Sequence, residues 1–274
     1  MSKVIWFGKE LFTRIGEDDV PGMAAQLAYF FLLSLFPLMI FLITLLGYMK
    51  IDEQRVLDFI GTYAPPETYE MISKNVTELL NQGSGGLLSI GILGTLWAAS
   101  NGVKGLMRAL NRAHNVEESR SFIVGRLTAI VLTVAMVLVI AIAFLLPVLG
   151  NAIGTYVFSL LGLSDSFIAL WSAFRWVISS VIFFIVLSFL YIMAPNKTLR
   201  INEIAIGAIF ATVGWQLVSL LFSYYVSSLG NYSATYGSLG GVIVLMIWFF
   251  LSGLVIILGG EINAVVLKNR ELNS

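Results

Sequence analysis

Five long runs of sequence without a charged residue most constrain how this chain can fold. They are 20–49, 79–103, 127–164, 176–196 and 204–260. A helix that crosses the hydrocarbon core of a bilayer needs about 20 predominantly apolar residues. Only 12% of the 274 residues are charged and 58% are hydrophobic, whereas about 25% of a soluble domain is charged. The sequence therefore predicts an all-α, polytopic membrane protein and excludes a soluble enzyme.

The uncharged runs accommodate six predicted transmembrane helices in one bundle. The run 204–260 would be about 85 Å long as a single helix, far more than a hydrocarbon core of about 30 Å, so it contains two spans. The turn-forming segment 230–237 separates them. The six predicted spans are 24–48, 87–103, 127–149, 176–194, 204–229 and 239–264.

The positions of Lys and Arg predict the orientation of the bundle. Cytoplasmic segments of membrane proteins are enriched in these residues. With the N-terminus inside, twelve of the 16 Lys and Arg residues lie on the cytoplasmic side. We therefore predict that both the N-terminus and the C-terminus are cytoplasmic.

Two segments have helical periodicity but are not predicted to span. Residues 1–19 place Val4, Phe7, Leu11 and Ile15 at helical spacing, opposite a polar face that includes Arg14. This pattern is typical of an amphipathic helix that lies in the membrane interface. Residues 50–82 carry a second apolar stripe behind a Pro-Pro pair and predict an extracytoplasmic helical hairpin. The transmembrane domain covers 20–267 with this hairpin inserted, and 268–274 forms a cytoplasmic tail.

Few polar residues fall in or next to the predicted spans, and these are the candidate pathway or binding residues. Ionisable and polar groups at membrane depth are costly and typically face a cavity or a partner. Packing between helices and anchoring at the interface are the alternative interpretations for each of them. The candidates are Gln26 and Tyr29 on one face of the first span, Asn101, Lys104 and Arg108 on the second, and Glu261 and Asn263 on the sixth.

Two further patterns concern the same spans. Lys104, Arg108 and Arg112 recur every four residues, and this stripe fits either topology anchors or a site for a phosphate or lipid head group. Small residues also recur, at Gly94, Ala98 and Gly102 on the second span and at Gly237 and Gly241 where the sixth begins. We expect both sets of small residues to let helix backbones approach closely.

This sequence has few residues suited to hydrolytic catalysis or to metal binding. It has no cysteine and a single histidine, His114, which we expect to be exposed in a charged loop. No metal site and no cofactor are predicted, because a nucleophile, a base and metal ligands in a recognisable arrangement are missing. The formal net charge is zero, so no electrostatic attraction to nucleic acid is expected.

Several motifs in this chain resemble the YihY/BrkB family of bacterial inner-membrane proteins. They are AAQLAYFFLLSLFP at 24–37, SNGVKGL at 100–106, YGSLGG at 236–241 and LGGEINA at 258–264. The resemblance covers about residues 20–267 in the right order. It implies a multi-pass protein of the bacterial cytoplasmic membrane, in a family long labelled ribonuclease BN whose activity is uncharacterised.

The leading hypothesis from the sequence is a transporter-like protein that binds or moves a solute or lipid. Its path would lie among the first, second and sixth spans, with Lys104 and Arg108 selecting an anion at the inner mouth. Membrane lipids and a small solute or lipid substrate are the expected partners. The alternative is a non-transporting scaffold or assembly factor. Ribonuclease activity is not expected, because metal ligands, an acid/base pair and a basic groove are lacking.

Overall fold

The computed structural model describes residues 3–48, 85–137, 165–228 and 238–272. All the regular secondary structure within these ranges is helical, as predicted for an all-α membrane protein. The seven helices described are α1 Lys3–Glu17, α2 Val20–Tyr48, α3 Gly85–Ala113, α4 Phe122–Val137, α5 Asp165–Met193, α6 Ile201–Ser228 and α7 Ser238–Glu271.

Three stretches in the described helices are long and apolar enough to cross a membrane. They are Val20–Phe41 in α2, Ile201–Val226 in α6 and Gly240–Glu271 in α7. Two shorter apolar helices, Phe122–Val137 and Val177–Met193, coincide with parts of the third and fourth predicted spans. The second predicted span lies within α3. A total of six spans stays a prediction, and the predicted hairpin 50–82 lies outside the described residues.

Helix α1 joins α2 through a turn of two residues. Asp19 has a φ of 51°, a left-handed conformation that Asp tolerates better than most residues. The N–H of Met23 donates to the carbonyl of Asp19 at 3.0 Å, so Asp19 is the N-cap residue directly before α2. This short turn directs α1 back onto the bundle, where it packs mainly against α7.

The predicted apolar stripe of α1 is half-buried where it is described, at Phe7, Leu11 and Ile15. Ile15 packs against the core, but Arg14, expected on the polar face, is buried. Phe12 and Ile5, which lie outside the predicted stripe, are exposed, at 79% and 60%. The expectation for Arg14 was wrong. Its side chain meets polar groups of other helices, and the sequence of α1 alone does not show that these groups lie nearby.

Helices α2 and α3 pack closely along the small residues of α3. A Cβ at Gly94 would lie 3.2 Å from the Pro37 ring, and one at Gly102 would lie 3.0 Å from the Phe31 ring. The predicted close approach is therefore confirmed at these two positions. At Gly241 no such approach is seen, since a Cβ there would meet no described residue within 4 Å. Gly237 lies outside the described residues.

A continuous apolar core connects α2 through α7. Its most deeply buried large side chains come from different helices and include Leu27, Leu106, Leu190, Ile204 and Ile257. Since α7 packs against α1, α2, α3 and α6, it is the helix with the most neighbours in the described bundle. The polar residues described next lie where α1 meets α7.

Candidate functional site

Glu261 is the most deeply buried charged residue among the described residues. Its exposed fraction is 0%, and neither carboxylate oxygen accepts a hydrogen bond. The residue follows Gly259 and Gly260 on α7, where the absence of side chains lets neighbouring helices press against the backbone. Carboxylates buried in this way are costly unless a cation or a proton compensates their charge.

The cation nearest to Glu261 is Arg14 of α1. Its Nη1 atom lies 3.8 Å from Oε2 of Glu261, a distance that allows charge interaction but is too long for a hydrogen bond. The same Nη1 donates to the carbonyl of Ala113 at 2.7 Å, and Nε donates to Glu10 Oε1 at 3.0 Å. Hydrogen bonds to Glu10 and to the end of α3 therefore hold Arg14 in place. Glu261 interacts with Arg14 only through the attraction between their opposite charges.

A second carboxyl group, that of Asp18, also acts on Glu261. Asp18 belongs to the turn between α1 and α2, and it interacts with Glu261 directly. It also accepts a hydrogen bond at 3.2 Å from Nε of Arg112 on α3. Two carboxyl groups and two guanidinium groups thus meet at the junction of α1, α3 and α7. We refer to Arg14, Asp18, Arg112 and Glu261 as the charge cluster.

A separate ion pair holds α1 against the end of α7. Lys268 Nζ lies 2.7 Å from Glu10 Oε1, the oxygen that also accepts from Arg14. The hydrogen bond from Lys268 and, after it, that from Arg14 lower the pKa of Glu10 from its ordinary value of 4.5. The negative charge of Glu10 therefore connects the first and last described helices.

Gln26 and Tyr29 share one face of α2, as predicted, but that face is exposed. Oε1 of Gln26 accepts a hydrogen bond from Nη2 of Arg108 at 2.9 Å. Tyr29 is 55% exposed and its ring contacts only Phe30 among the described aromatic pairs. The structure thus brings Gln26 and Arg108 together, and it leaves Tyr29 apart from both this pair and the charge cluster.

Asn101 and Lys104 face α4. Asn101 Oδ1 accepts a hydrogen bond at 2.7 Å from Nη1 of Arg126, whose guanidinium lies 3.7 Å from the centre of the Trp97 ring. The Lys104 ammonium lies 4.8 Å from the centre of the Phe122 ring. The basic stripe of α3 therefore divides, with Lys104 turned toward α4 and both Arg108 and Arg112 turned toward the first two helices.

Asn263 is buried between α7 and α6. Its Oδ1 accepts a hydrogen bond from the backbone N–H of Gly207 at 2.7 Å, while Nδ2 has no partner. A Cβ at Gly207 would overlap with the carbonyl oxygen of Gly259, so the two helix backbones touch at this level. Tyr191 of α5 adds a hydrogen bond from its hydroxyl to the carbonyl of Ile256 at 2.7 Å. Asn263 thus belongs to the contact between helices α5, α6 and α7.

The loops beside the charge cluster are joined by saturated polar groups. Arg120 donates to the carbonyls of Met193, Ala194 and Pro195 at the end of α5. Asn111 donates to Glu118 and accepts from the backbone N–H of Asn196 at 2.6 Å. These two side chains have the hydrogen bonding expected of groups whose role is structural.

His114 lies in the same loop region but is not exposed as expected. Helix α3 ends at Ala113, and Asn115, the residue after His114, has a φ of 52°. The N–H of Val116 donates back to the carbonyl of Asn111 at 2.9 Å, which closes the turn at the end of the helix. This turn folds His114 inward. Burial, followed by the nearby charge of Lys197, lowers the pKa of His114 to about 4. The expectation of a solvated histidine was wrong.

Three polar residues at this end of the bundle were missed as site candidates by the sequence reasoning. Arg14 was assigned to the polar face of α1, Asp18 was not considered, and Arg126 was one of the twelve basic residues counted on the cytoplasmic side. The cluster of acidic residues Glu17, Asp18 and Asp19 just before the first uncharged run is a signal that could have drawn attention to Asp18. Among the described residues, no group of three or more His, Cys, Asp or Glu side chains is placed to hold a metal ion.

These features define an integral membrane protein with a helical bundle and a buried charge cluster at one end. The family model described as Virulence factor BrkB matches residues 11–274, and the chain belongs to this family. The predicted family resemblance is therefore confirmed.

Similar proteins carry names that do not describe an established activity. The putative ribonuclease-like protein YfkH of Bacillus subtilis is 52% identical over 97% of both chains. A UPF0761 membrane protein of Vibrio atlanticus is 26% identical over 97% of this chain and 84% of its own length. A further UPF0761 membrane protein, from Alteromonas mediterranea, is 24% identical over 90% of this chain and 83% of its own length. No solved structure matches the chain.

Proposed function

We propose that this chain is a transporter-like protein of the bacterial cytoplasmic membrane that binds and moves a solute or lipid. In this proposal it has six spans, with both termini in the cytoplasm. The excess of Lys and Arg on that side supports the orientation. The contact between Glu10 and Lys268 supports an even number of crossings, because it brings the first and last described helices together at one end of the bundle.

The observation that carries this proposal is the full burial of Glu261 with no hydrogen bond accepted by its carboxylate. The nearby side chains of Arg120 and Asn111 each form more than one hydrogen bond. Glu261 is fully buried and accepts none. A carboxylate retained at such cost in a membrane protein is typical of a group that binds or exchanges a proton, an ion or a substrate. We therefore assign to Glu261 the central role in the transport cycle.

Arg14 and Asp18 give Glu261 the neighbours that such a role requires. Arg14 Nη1 lies 3.8 Å from Glu261 Oε2 and stabilises the ionised carboxylate, and Asp18 adds a second carboxyl group beside it. A change in the charge of Glu261 would thus alter how firmly α1 is held against α7. This arrangement supplies a way to couple binding at the cluster to a movement of α1.

Gln26 and Arg108 supply an exposed anion site beside the charge cluster. Arg108 forms no ion pair within the described part of the chain, and its partner Gln26 is neutral. A guanidinium without a carboxylate partner is well suited to receive a phosphate or carboxylate of the substrate. We propose that this pair selects an anionic group at the inner mouth.

Movement of a labelled lipid in vesicles tests the proposal. The purified protein is reconstituted with a fluorescent phosphatidylglycerol, and the fraction of label on the outer surface is followed by chemical quenching. We expect Glu261→Gln, which preserves shape and removes charge, to slow lipid movement about tenfold. Glu117→Gln is the matched control, because Glu117 is an exposed carboxylate near the same end of the bundle.

The alternative function is a scaffold or assembly factor without transport activity. The saturated contacts of Arg120 and Asn111 favour it, because they make this end of the bundle rigid. Under this alternative, Glu261→Gln leaves lipid movement unchanged and lowers thermal stability. That outcome would contradict the transport proposal.

The name of the Bacillus relative suggests a third activity, RNA cleavage. We do not propose it, since the sequence offers one histidine, His114, and no cysteine. The purified protein can be tested for RNA cleavage with Mg²⁺ or Mn²⁺. Cleavage at a rate that the Glu261 substitution does not change would contradict our decision not to propose ribonuclease activity.

A further inference from the structure

Two cations lie at the contact between α3 and α4. Lys104 projects from α3 onto the ring of Phe122, and Arg126 projects from α4 onto the ring of Trp97. Within the described ranges, neither cation forms an ion pair, although Arg14, Arg112, Arg120 and Lys268 all do. Positive charge at this contact is therefore not neutralised by the protein there.

Arg126 is the more deeply buried of the two cations. Its exposed fraction is 9%, and its Nε atom is buried without a hydrogen-bond partner. The two terminal nitrogens donate to Asn101 Oδ1 at 2.7 Å and to the carbonyl of Trp97 at 3.3 Å. These neutral acceptors fix the position of the guanidinium but leave its charge uncompensated. A bound anion would offset the cost of burying that charge.

The beginning of α4 adds further positive potential at the same place. Phe122 is the first residue of this helix, and the Ser121 hydroxyl accepts from Val124 N–H only at 3.4 Å. The first N–H groups of a helix lack partners within it and attract anions. Lys104 therefore lies at the start of α4, and Arg126 adds a second positive charge about one turn further along the same helix.

The surroundings of this point favour a lipid over a soluble anion. Phe122 and Trp97, which cover the two cations, are 76% and 61% exposed. Ile123, Leu127 and Val131 continue along α4 with more than half of their surface exposed. A phosphate at the cations would thus have a hydrophobic surface directly beside it, where acyl chains can lie.

We infer that the contact between α3 and α4 is a binding site for the phosphate of an anionic lipid. Lys104 binds the phosphate directly, and Arg126 contributes charge from its buried position. Trp97 and Phe122 lie against the glycerol region, and the exposed side chains of α4 contact an acyl chain. This inference deepens the proposed function by naming the lipid class, and it rests on that proposal only for placement in the membrane.

Thermal stability in detergent tests this site without a transport measurement. Phosphatidylglycerol, phosphatidylcholine or inorganic phosphate is added to the purified protein, and the midpoint of unfolding is recorded for each. We expect phosphatidylglycerol to raise the midpoint by about 5 °C. Lys104→Gln should remove most of that rise, whereas Arg200→Gln should keep it. Arg200 is the matched control, as an exposed cation on the same predicted side of the membrane.

Each result bears directly on the inference. An equal rise with phosphatidylcholine, or an unchanged rise in Lys104→Gln, would overturn it. A rise with inorganic phosphate that matches the lipid would overturn the assignment to a lipid. Arg126→Gln tests the second cation, provided that this variant folds despite the burial of Arg126. If it does not fold, native mass spectrometry of Lys104→Gln tests the site, by the number of phosphatidylglycerol molecules that the Lys104 variant retains. Failure here leaves the role of Glu261 intact, since that role is tested by lipid movement.

Discussion

Arg14 and Glu261 form an unequal pair. The guanidinium of Arg14 is 3.8 Å from the Glu261 carboxylate but makes its hydrogen bonds to Glu10 and to the carbonyl of Ala113. Glu261 receives no hydrogen bond at all. Loss of one partner therefore has different consequences from loss of the other.

Arg14→Gln should destabilise the protein more than Glu261→Gln does. Without Arg14, Glu261 is buried without a cation, which costs about 3 kcal/mol. Without the charge of Glu261, Arg14 keeps Glu10 and Ala113, so the loss should stay below about 1 kcal/mol. The double variant should be more stable than Arg14→Gln alone. Thermal unfolding of the three variants in one detergent measures this, and additive losses would contradict the pairing.

Gly207→Ala should be strongly destabilising, whereas Gly241→Ala should not. A methyl group at Gly207 would overlap with the carbonyl of Gly259 on the neighbouring helix, and overpacking of this kind costs about 3 kcal/mol. At Gly241 a methyl group meets none of the described residues within 4 Å. The same substitution there should be neutral or should stabilise the helix by up to about 1 kcal/mol. Expression level and unfolding midpoint of the two variants provide the comparison.

Arg120→Gln should loosen the loop between α3 and α4. The glutamine cannot reach all three carbonyls at the end of α5, and loss of these bonds should cost about 2 kcal/mol. Hydrogen exchange of the backbone N–H groups of residues 116–121 should rise. Arg200→Gln controls for the loss of one positive charge, and equal exchange in the two variants would argue against the role of Arg120.

Stability should fall as the pH is lowered from about 6.5 toward 4 because of His114. The folded protein holds this side chain neutral, with its pKa lowered to about 4 from 6.5, so only the unfolded chain takes up a proton in this range. The charges that act on His114 are those of Lys197, Arg14 and Glu203. The unfolding midpoint of the wild type should decrease over this range, and that of His114→Gln should decrease less.

Glu10 titrates in a lower range and can be separated from His114. Because the pKa of Glu10 is below its ordinary value of 4.5, its contribution is complete above that pH and is lost only as the pH falls further. A decrease between pH 6.5 and 5 that persists fully in His114→Gln would contradict the assignment to His114.

The helices of this protein were predictable because long apolar runs leave few alternatives in a membrane. The close approach of α2 and α3 at Gly94 and Gly102 followed from the spacing of small residues. The same spacing does not bring a described residue close to Gly241, since a small residue permits a close neighbour but does not require one. The spacing of small residues thus predicted which helix faces could pack closely. Which of these faces do so depends on how the helices are arranged in the bundle.

The candidate site was only partly predictable. Glu261 stood out as an acid next to an apolar run, and the structure places it in the charge cluster. Its partners Arg14 and Asp18 come from the opposite end of the chain, so no local pattern connects them to it. Arg126 was equally hidden, because its contact with Trp97 depends on how α4 lies against α3.

Consecutive glycines on α7 restrict the ways in which the bundle can change shape. Gly259 faces α6 and the Tyr191 hydroxyl of α5, and Gly260 faces Leu110 of α3. Sliding or rotating α7 would drive side chains into these contacts, so this helix is fixed relative to three neighbours. Helix α1, attached through Arg14 and Glu10 and joined by two residues to α2, has no such backbone contact. In the proposed transport cycle, α1 is therefore the helix that is released and returns, while α7 stays in place.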